Sequence, residues 1–206
     1  MSQYTPERLV AVSRYQNYFP TLSPDIQRDV CSRMAKLIEE ERRMLVMKLM
    51  VEGLCLGALL VVVCAVGIKN GAIGMVHLYD KKVQGRVIQL GMTTGEAIRR
   101  RSVRFRSLCI PAYMVYVLVC VYAVNGARGF LPGFWQGLVI LSIMNLIDRI
   151  LIDGYWVGHT DAWVIPGTED LRPYIAAKDK QRKWLMGTVG MAAVSAALAG
   201  IMALVL

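Results

Sequence analysis

Apolar residues in this chain are gathered into four long blocks that polar, charged stretches separate. The blocks are residues 44–68, 108–124, 134–157 and 185–206. Each is close to the ~20 residues that a helix needs to cross roughly 30 Å of hydrocarbon. Backbone groups in lipid must be hydrogen-bonded within their own segment, so each block is expected to be a helix. The pattern predicts an all-α integral membrane protein built as a four-helix bundle.

Residues 1–43 form a polar tail with two signals for a helix start. Thr5-Pro6-Glu7 and Ser23-Pro24-Asp25 each offer an N-cap residue, a proline at the first helical position and an acidic residue after it. Pro20 lies between the two signals. We therefore expect a helical tail, residues 1–43, ahead of a four-span domain, residues 44–206. The second tail helix can continue into the first span without a break.

The loop after the first block, residues 69–107, has a helical pattern of its own. Asp80 can cap a short helix that ends before Gly91, and Thr93 to Glu96 has the spacing of a capping box for a second helix. The sequence therefore predicts a helix-turn-helix loop between the first two spans.

The charge of the chain adds an orientation to this topology. The chain has a net charge of +9, although only 19% of its residues are charged. The loops after the first and third blocks hold fourteen Lys and Arg residues, against nine in the N-terminal segment through Lys48 and the short hairpin at residues 125–133 taken together. The positive-inside rule then places the two longer loops in the cytoplasm. Basic segments beside a membrane also attract anionic head groups, so membrane lipids are the expected partners.

The third apolar block carries ionisable residues in its second half. At about 100° per residue, Asn145, Arg149 and Asp153 share one stripe of the helix, with Asp148 at its edge. A charged side chain at membrane depth costs a few kcal/mol or more unless it is paired or faces water. Two interpretations follow: a functional site, or a structural ion-pair network that fixes helix packing.

Both longer loops lie on the same side of the membrane, whichever side that is. They bring the two histidines and several carboxylates to the end of the third span where the charged stripe lies. Such groups can act as general acids and bases. The predicted catalytic set is Asp148, Arg149, Asp153, His159 and Asp161.

A run of arginines leads into the second span, and arginine can hold a phosphate or a carboxylate. The predicted substrate- or lipid-binding set is His77, Arg99, Arg100, Arg101, Arg104 and Arg106. The alternative is that the arginines anchor the protein to lipid head groups. His159 and Asp161 have a weak metal-ligand spacing. No metal or cofactor is therefore assigned.

Several function classes are excluded by the motifs that are missing. The sequence has no Walker A pattern, dinucleotide fingerprint or G-x-S-x-G elbow, which excludes an ATPase and a Rossmann oxidoreductase. The segment LGMTTGEAIRRRSVRF resembles the turn and recognition helix of DNA-binding proteins. Its loop is tethered to the membrane at both ends, so no nucleic-acid partner is expected.

The fourth block has small residues at four-residue spacing. One series is Ala192, Ala196 and Gly200, and a second is Ser195, Ala199 and Ala203. Such positions let helices approach closely. The block is interpreted as a packing element, either within one chain or between copies in a homo-oligomer.

Three segments together resemble a group of small bacterial integral membrane proteins. The segments are VHLYDKKVQGRVIQLGMTTGEAI, DRILIDGYWVGHTDAWVIPGTEDL and NGARGFLPGFWQ. The shared features are a V-Q-x-R-x-I-x-L-G-x-T-T loop and a W-x-I-P-G-T-E loop. The resemblance implies a multi-pass protein of the bacterial inner membrane and implies no particular activity.

Two hypotheses for function follow from these patterns. In the first, a polar Asp/Arg/His site at one membrane interface binds or processes an anionic, lipid-like amphiphile. In the second, the protein is a non-enzymatic transporter component or membrane scaffold, and its Asp/Arg stripe only locks helices together. A pocket at the stripe favours the first, and a closed, fully paired stripe favours the second.

Overall fold

The structure is a computed structural model that describes residues 23–175 and 177–205, and these residues contain helices and no strands. Four of the helices are long and apolar enough to cross a membrane. They cover Pro24–Ile68, Gly95–Val124, Phe130–His159 and Lys183–Val205. The prediction of an all-α, four-span architecture is confirmed, and the fold is that of a multi-pass membrane protein. The predicted tail helix beginning at Thr5 lies outside the described residues.

The helices are labelled in chain order. They are α1 (Pro24–Ile68), α2 (Lys81–Gln89), α3 (Gly95–Leu118), α4 (Phe130–Ile147) and α5 (Ala177–Val205). Two of them continue as π-helix: α3 through Val119–Val124, and α4 through Asp148–Trp156 with a last helical turn at Val157–His159. Short 3-10 segments lie at Ala72–Leu78, Asp161–Trp163 and Glu169–Leu171.

The first helix joins the described part of the tail to the first span. Ser23 precedes it and Pro24 occupies its first turn, as the sequence predicts. It is 45 residues long, or about 68 Å at 1.5 Å per residue. Since about 30 Å crosses the hydrocarbon, roughly half of α1 extends beyond it.

The loop between α1 and α3 contains the predicted helix-turn-helix, with one correction to its caps. Asp80 precedes α2, and Gly91 follows it with a φ of +70°, a conformation that glycine adopts without strain. Thr94, and not Thr93, caps α3, because its extended backbone lets its side chain accept a hydrogen bond from the Ala97 amide at 3.2 Å.

The central helix of the bundle is α4, which packs against both α1 and α5. Gly53 and Gly57 of α1 lie directly against Ile143 and Ile147 of α4. On the other side, Ser195 of α5 is buried and donates a hydrogen bond to the Phe134 carbonyl. Small residues therefore let both neighbours approach α4 closely. Apolar side chains on the outer faces of the spans remain exposed, as a lipid environment requires.

A cap of loop segments packs over one end of the bundle. We define the cap as residues 72–90 and 161–174. Tyr79 donates a hydrogen bond to the Trp163 carbonyl at 2.5 Å, and Arg86 bonds Asp170 at 3.1 Å, so the two loops are joined. The cap has its own buried core, which includes Met75, Val76, Val83, Val87, Trp163, Ile165 and Tyr174. The loops after the first and third spans thus lie on the same side.

The close contact between α1 and α4 generates a stability prediction. A methyl group at Gly53 would lie 2.7 Å from the Ile143 Cβ, which cannot move without the helix backbone. Gly53→Ala should therefore lower the free energy of unfolding by about 1–3 kcal/mol, the usual cost of overpacking. The measurement is reversible unfolding in detergent.

The matched control is Gly190→Ala in α5. Its new methyl group meets no atom within 4 Å, and alanine favours a helix over glycine by about 1 kcal/mol. This variant should be neutral or more stable. Equal stability of both variants would contradict the close α1–α4 packing.

Candidate functional site

The charged residues of the third span form one contacting network around Arg149. Its Nη1 lies 2.9 Å from Asp153 Oδ2, and its Nε donates to Asn145 Oδ1 at 3.4 Å. Its Nη2 lies 3.8 Å from Asp148 Oδ2. Arg149 is 15% exposed and Asp153 16%, so this pair is largely withdrawn from its surroundings. The stripe seen in the sequence is a set of real contacts.

A fifth member comes from another helix. Lys183 of α5 places its Nζ 3.6 Å from Asp153 Oδ2. Asp153 therefore has two cations, whereas among the described side chains Asp148 has only the longer contact with Arg149. We call Asn145, Asp148, Arg149, Asp153 and Lys183 the ionic seam. Lys183 was not predicted from the sequence. A signal was present, because the last span begins at Lys183 and therefore at the end of the bundle where the third span carries its charges.

The seam lies where α4 changes into a π-helix, Asp148–Trp156. The wider turn leaves backbone carbonyls available for other partners, and His159 Nδ1 contacts the Gly154 carbonyl at 3.0 Å. Gly154 sits inside this segment, and a Cβ there would lie 3.0 Å from the Arg149 carbonyl. Single π-helical turns are frequent at functional sites.

A cavity of about 490 Å³ separates the seam from the cap. Its polar lining contains the whole seam, together with Arg106, His77 and Asp80. Its apolar wall comes from the spans and the cap, through Leu60, Cys64, Phe105, Met144, Ile152, Val157, Trp163, Tyr174 and Met191. The cavity thus combines charged groups with an apolar surface at one end of the bundle.

The predicted catalytic residues separate into two groups. Asp148, Arg149 and Asp153 line the cavity. His159 and Asp161 do not: His159 stacks on Tyr155 at the exposed end of the span, and Asp161 pairs with Arg172 at 3.1 Å. The structure therefore brings together only the part of this set that lies within the span.

The predicted binding residues also separate. His77 and Arg106 line the cavity. Arg101 donates instead to the Ile73 carbonyl at 2.8 Å. Three further arginines are exposed and lie away from the cavity: Arg99, Arg100 and Arg104.

Arg106 differs from the other cations of the cavity. Arg149 and Lys183 both contact carboxylates of the seam. Among the side chains that the structure describes (residues 23–175, 181 and 183–205), Arg106 has neither a hydrogen bond nor a carboxylate within 4.0 Å. The wall formed by α3 therefore offers an unmatched positive charge.

His77 presents buried ring nitrogens without partners among the described residues. Its ring packs against Phe105, with the centroids 5.2 Å apart. Burial lowers the pKa of His77 below its ordinary 6.5, and the nearby Arg101 and Arg106 lower it further. His77 is therefore a neutral imidazole at neutral pH.

The aromatic residues of the cap were not identified from the sequence. The Tyr79 ring contacts both Trp163 and Tyr174, with ring centroids 6.3 Å and 5.2 Å away. Burial, and then the neighbouring Tyr174, raise the pKa of Tyr79, which keeps its hydroxyl protonated as the donor to Trp163. Aromatic residues in loops follow no helical or strand period that would identify them. Of the three, only Trp163 was noticed in the sequence, as the first residue of the W-x-I-P-G-T-E loop.

Comparisons with known proteins give no relative: no protein-family model, no curated protein and no solved structure matches this chain. The geometry of the cavity is therefore the basis for any functional conclusion.

The seam predicts a large effect of removing its arginine. Among the described side chains, Arg149→Ala removes the one cation within 4.0 Å of Asp148 and leaves Lys183 as the one within 4.0 Å of Asp153. Unpaired charge in a poorly solvated place is costly, so the variant should lose about 2–4 kcal/mol of unfolding free energy. Asp153→Asn should lose less, because an amide oxygen still accepts from Arg149.

Arg172→Ala is the control for that experiment, since its pair with Asp161 is exposed at the surface. Such pairs contribute up to about 1 kcal/mol. Chemical unfolding in detergent measures all three variants. If Arg149→Ala were as stable as wild type, the arginine would face water or lipid head groups and the seam would not be a paired network.

The neutral His77 predicts a pH dependence of stability. The folded protein resists protonation of this ring, whereas the unfolded chain takes up the proton near pH 6.5. The free energy of unfolding should therefore fall as pH is lowered below about 6.5. His77→Phe should remove this component, and His159→Phe, at an exposed position, should keep it. Unfolding curves between pH 7.5 and 5.5 test this, and an unchanged His77→Phe profile would refute it.

Proposed function

We propose that the protein binds an anionic amphiphile, with the polar head group inside the cavity between the seam and the cap. The observation that supports this most is the composition of the cavity, in which charged residues and span-derived apolar residues face the same space. Ligand sites commonly combine an apolar lining with a few placed polar groups. The cavity lies at one end of the membrane spans, where a molecule with a polar head group and an apolar chain can contact both kinds of lining.

The size of the cavity limits what it can hold. A volume of about 490 Å³ falls within the roughly 300–1,000 Å³ typical of small-molecule sites. It fits a lipid head group with the first carbons of its chain rather than a whole lipid with two acyl chains. Leu60 and Met191 belong to the spans and offer apolar contacts to those carbons.

The charges around the cavity favour an anion that also carries a hydrogen-bond donor. Arg106 supplies a cation that no described carboxylate neutralises. Asp148 faces the same space, and its contact with Arg149 is too long for a hydrogen bond. An anionic group would therefore bind near Arg106, and a ligand hydroxyl or amine near Asp148.

Asp148 is also the group best placed to take part in chemistry, if the ligand is processed as well as bound. A general base must reach the proton that it removes. Asp153 is held by two cations, whereas Asp148 retains acceptor capacity toward the cavity. We propose Asp148 as the residue that contacts the reacting part of the ligand.

For location, we propose the bacterial inner membrane, with the cap in the cytoplasm. Support comes from the resemblance described above and from the excess of Lys and Arg in the loops that form the cap side.

A second candidate function is a membrane scaffold or transporter component in which the seam is purely structural. The observation in its favour is that Arg149 contacts three residues of its own helix. Small residues of α5 that have open space beside them, such as Gly190 and Gly200, would suit contacts between copies.

Blocking the cavity distinguishes these functions. Val157 lines the cavity, so Val157→Trp should fill it while leaving every charged residue in place. We expect an anionic amphiphile to co-purify with the wild type and to be lost from this variant, as measured by mass spectrometry of solvent extracts. Val189→Trp, on the exposed side of α5, is the control and should retain it. Equal lipid content in all three proteins would favour the scaffold.

A further inference from the structure

We propose that the head group is a phosphate, held by three hydrogen-bond donors that line the cavity and are not part of the seam: Trp163, His77 and Arg106. This inference rests on the proposed amphiphile site and deepens it by naming the anion. All three residues line the cavity, and they come from three different segments of the fold.

Trp163 is the most buried of the three, at 3% exposed. Its Nε1 is buried and has no hydrogen-bond partner within the described part of the chain. An indole N–H can only donate. Buried polar groups are nearly always hydrogen-bonded, so an orphaned one requires an explanation, and a bound ligand is one. The Trp163 ring is also held in place by an edge-on contact with Trp156 at 5.6 Å.

His77 repeats the same pattern on the 3-10 segment of the cap. Both of its ring nitrogens are buried, and neither has a partner among the described residues. Whichever tautomer is present, one nitrogen donates and the other accepts. His77 can thus donate to one phosphate oxygen and accept from a ligand hydroxyl or a phosphate that carries a proton.

Arg106 supplies the charge for this set of donors. Arg106 and His77 both line the cavity, and Arg106 lies near enough to His77 to lower the pKa of its imidazole. Arginine binds phosphate oxygens with two parallel N–H donors. No described carboxylate competes for these donors.

The arrangement suits a phosphate better than a carboxylate. Donors from three segments approach the cavity from different directions, and a phosphate monoester offers three terminal oxygens against two on a planar carboxylate. It also carries about −1.5 to −2 charge at pH 7. Asp148 and Asp153 of the seam would repel the anion and favour its binding at Arg106, while Arg149 and Lys183 limit that repulsion.

The experiment measures binding of short-chain probes to the full-length protein in detergent by isothermal titration calorimetry. The probes are dioctanoyl phosphatidic acid, which has a phosphate monoester, decanoate, which has a carboxylate, and dioctanoyl phosphatidylcholine. We expect the phosphatidic acid to bind at least tenfold more tightly than either of the others.

Variants then locate the phosphate. Trp163→Phe keeps the ring but removes the donor, and Arg106→Gln removes the charge. Trp163→Phe should weaken phosphatidic acid binding about tenfold and leave decanoate binding changed by less than threefold. Arg106→Gln should weaken the binding of both anions, that of phosphatidic acid about tenfold. Arg104→Gln should have no effect, because this residue of the same helix does not line the cavity. Thermal unfolding of each variant confirms that it is folded, and Arg106→Lys provides a milder substitution where Arg106→Gln is unstable.

Three outcomes are distinguishable. Selective binding of phosphatidic acid that depends on Trp163 and Arg106 supports the inference. Equal binding of phosphatidic acid and decanoate, unaffected by these variants but lost in Val157→Trp, overturns the phosphate subsite and leaves the amphiphile site intact. Binding of none of the probes overturns both.

Discussion

The pairing of Arg149 with carboxylates in the third span is the interaction on which the rest of this structure depends. An arginine and two aspartates at that depth are tolerable only if they neutralise one another. The contact at 2.9 Å with Asp153, extended by Lys183 from α5, satisfies this condition and ties α4 to the last span. Because α4 also packs against α1 through Gly53 and Gly57, the seam sits in the helix that organises the bundle.

The cap turns this structural network into the wall of a site. Loops after the first and third spans join through Tyr79 and Trp163 and enclose a space above the seam that side chains do not fill. In the seam, Asp153 is paired with Arg149 and Lys183, whereas Asp148 has only the longer contact with Arg149 among the described side chains. Helix α3 contributes Arg106 to the lining, and the cap contributes buried ring nitrogens that lack partners among the described residues. This asymmetry is the physical basis for proposing a bound anion.

Much of the fold was predictable from the sequence, and less of the site. The four spans follow from apolar blocks of membrane length, and the start of α1 follows from Ser23-Pro24, because both signals are local in the sequence. The Asn145, Arg149 and Asp153 stripe follows from helical spacing alone. Lys183 and Trp163 were missed because their positions depend on how distant segments fold together. His159 and Asp161 were placed in the site by proximity along the chain, yet the turn after the π-helix leaves them outside the cavity.

An experimental density map of the protein in lipid nanodiscs tests the central claim most directly, which is that the cavity between seam and cap is a ligand site. The account predicts an elongated density in the cavity, with its compact end near Arg106, His77 and Trp163 and its extended end along Leu60 and Met191. Arg149 should still contact Asp153. A cavity closed by direct pairing of Arg106 with Asp148, with no density between them, would contradict the account.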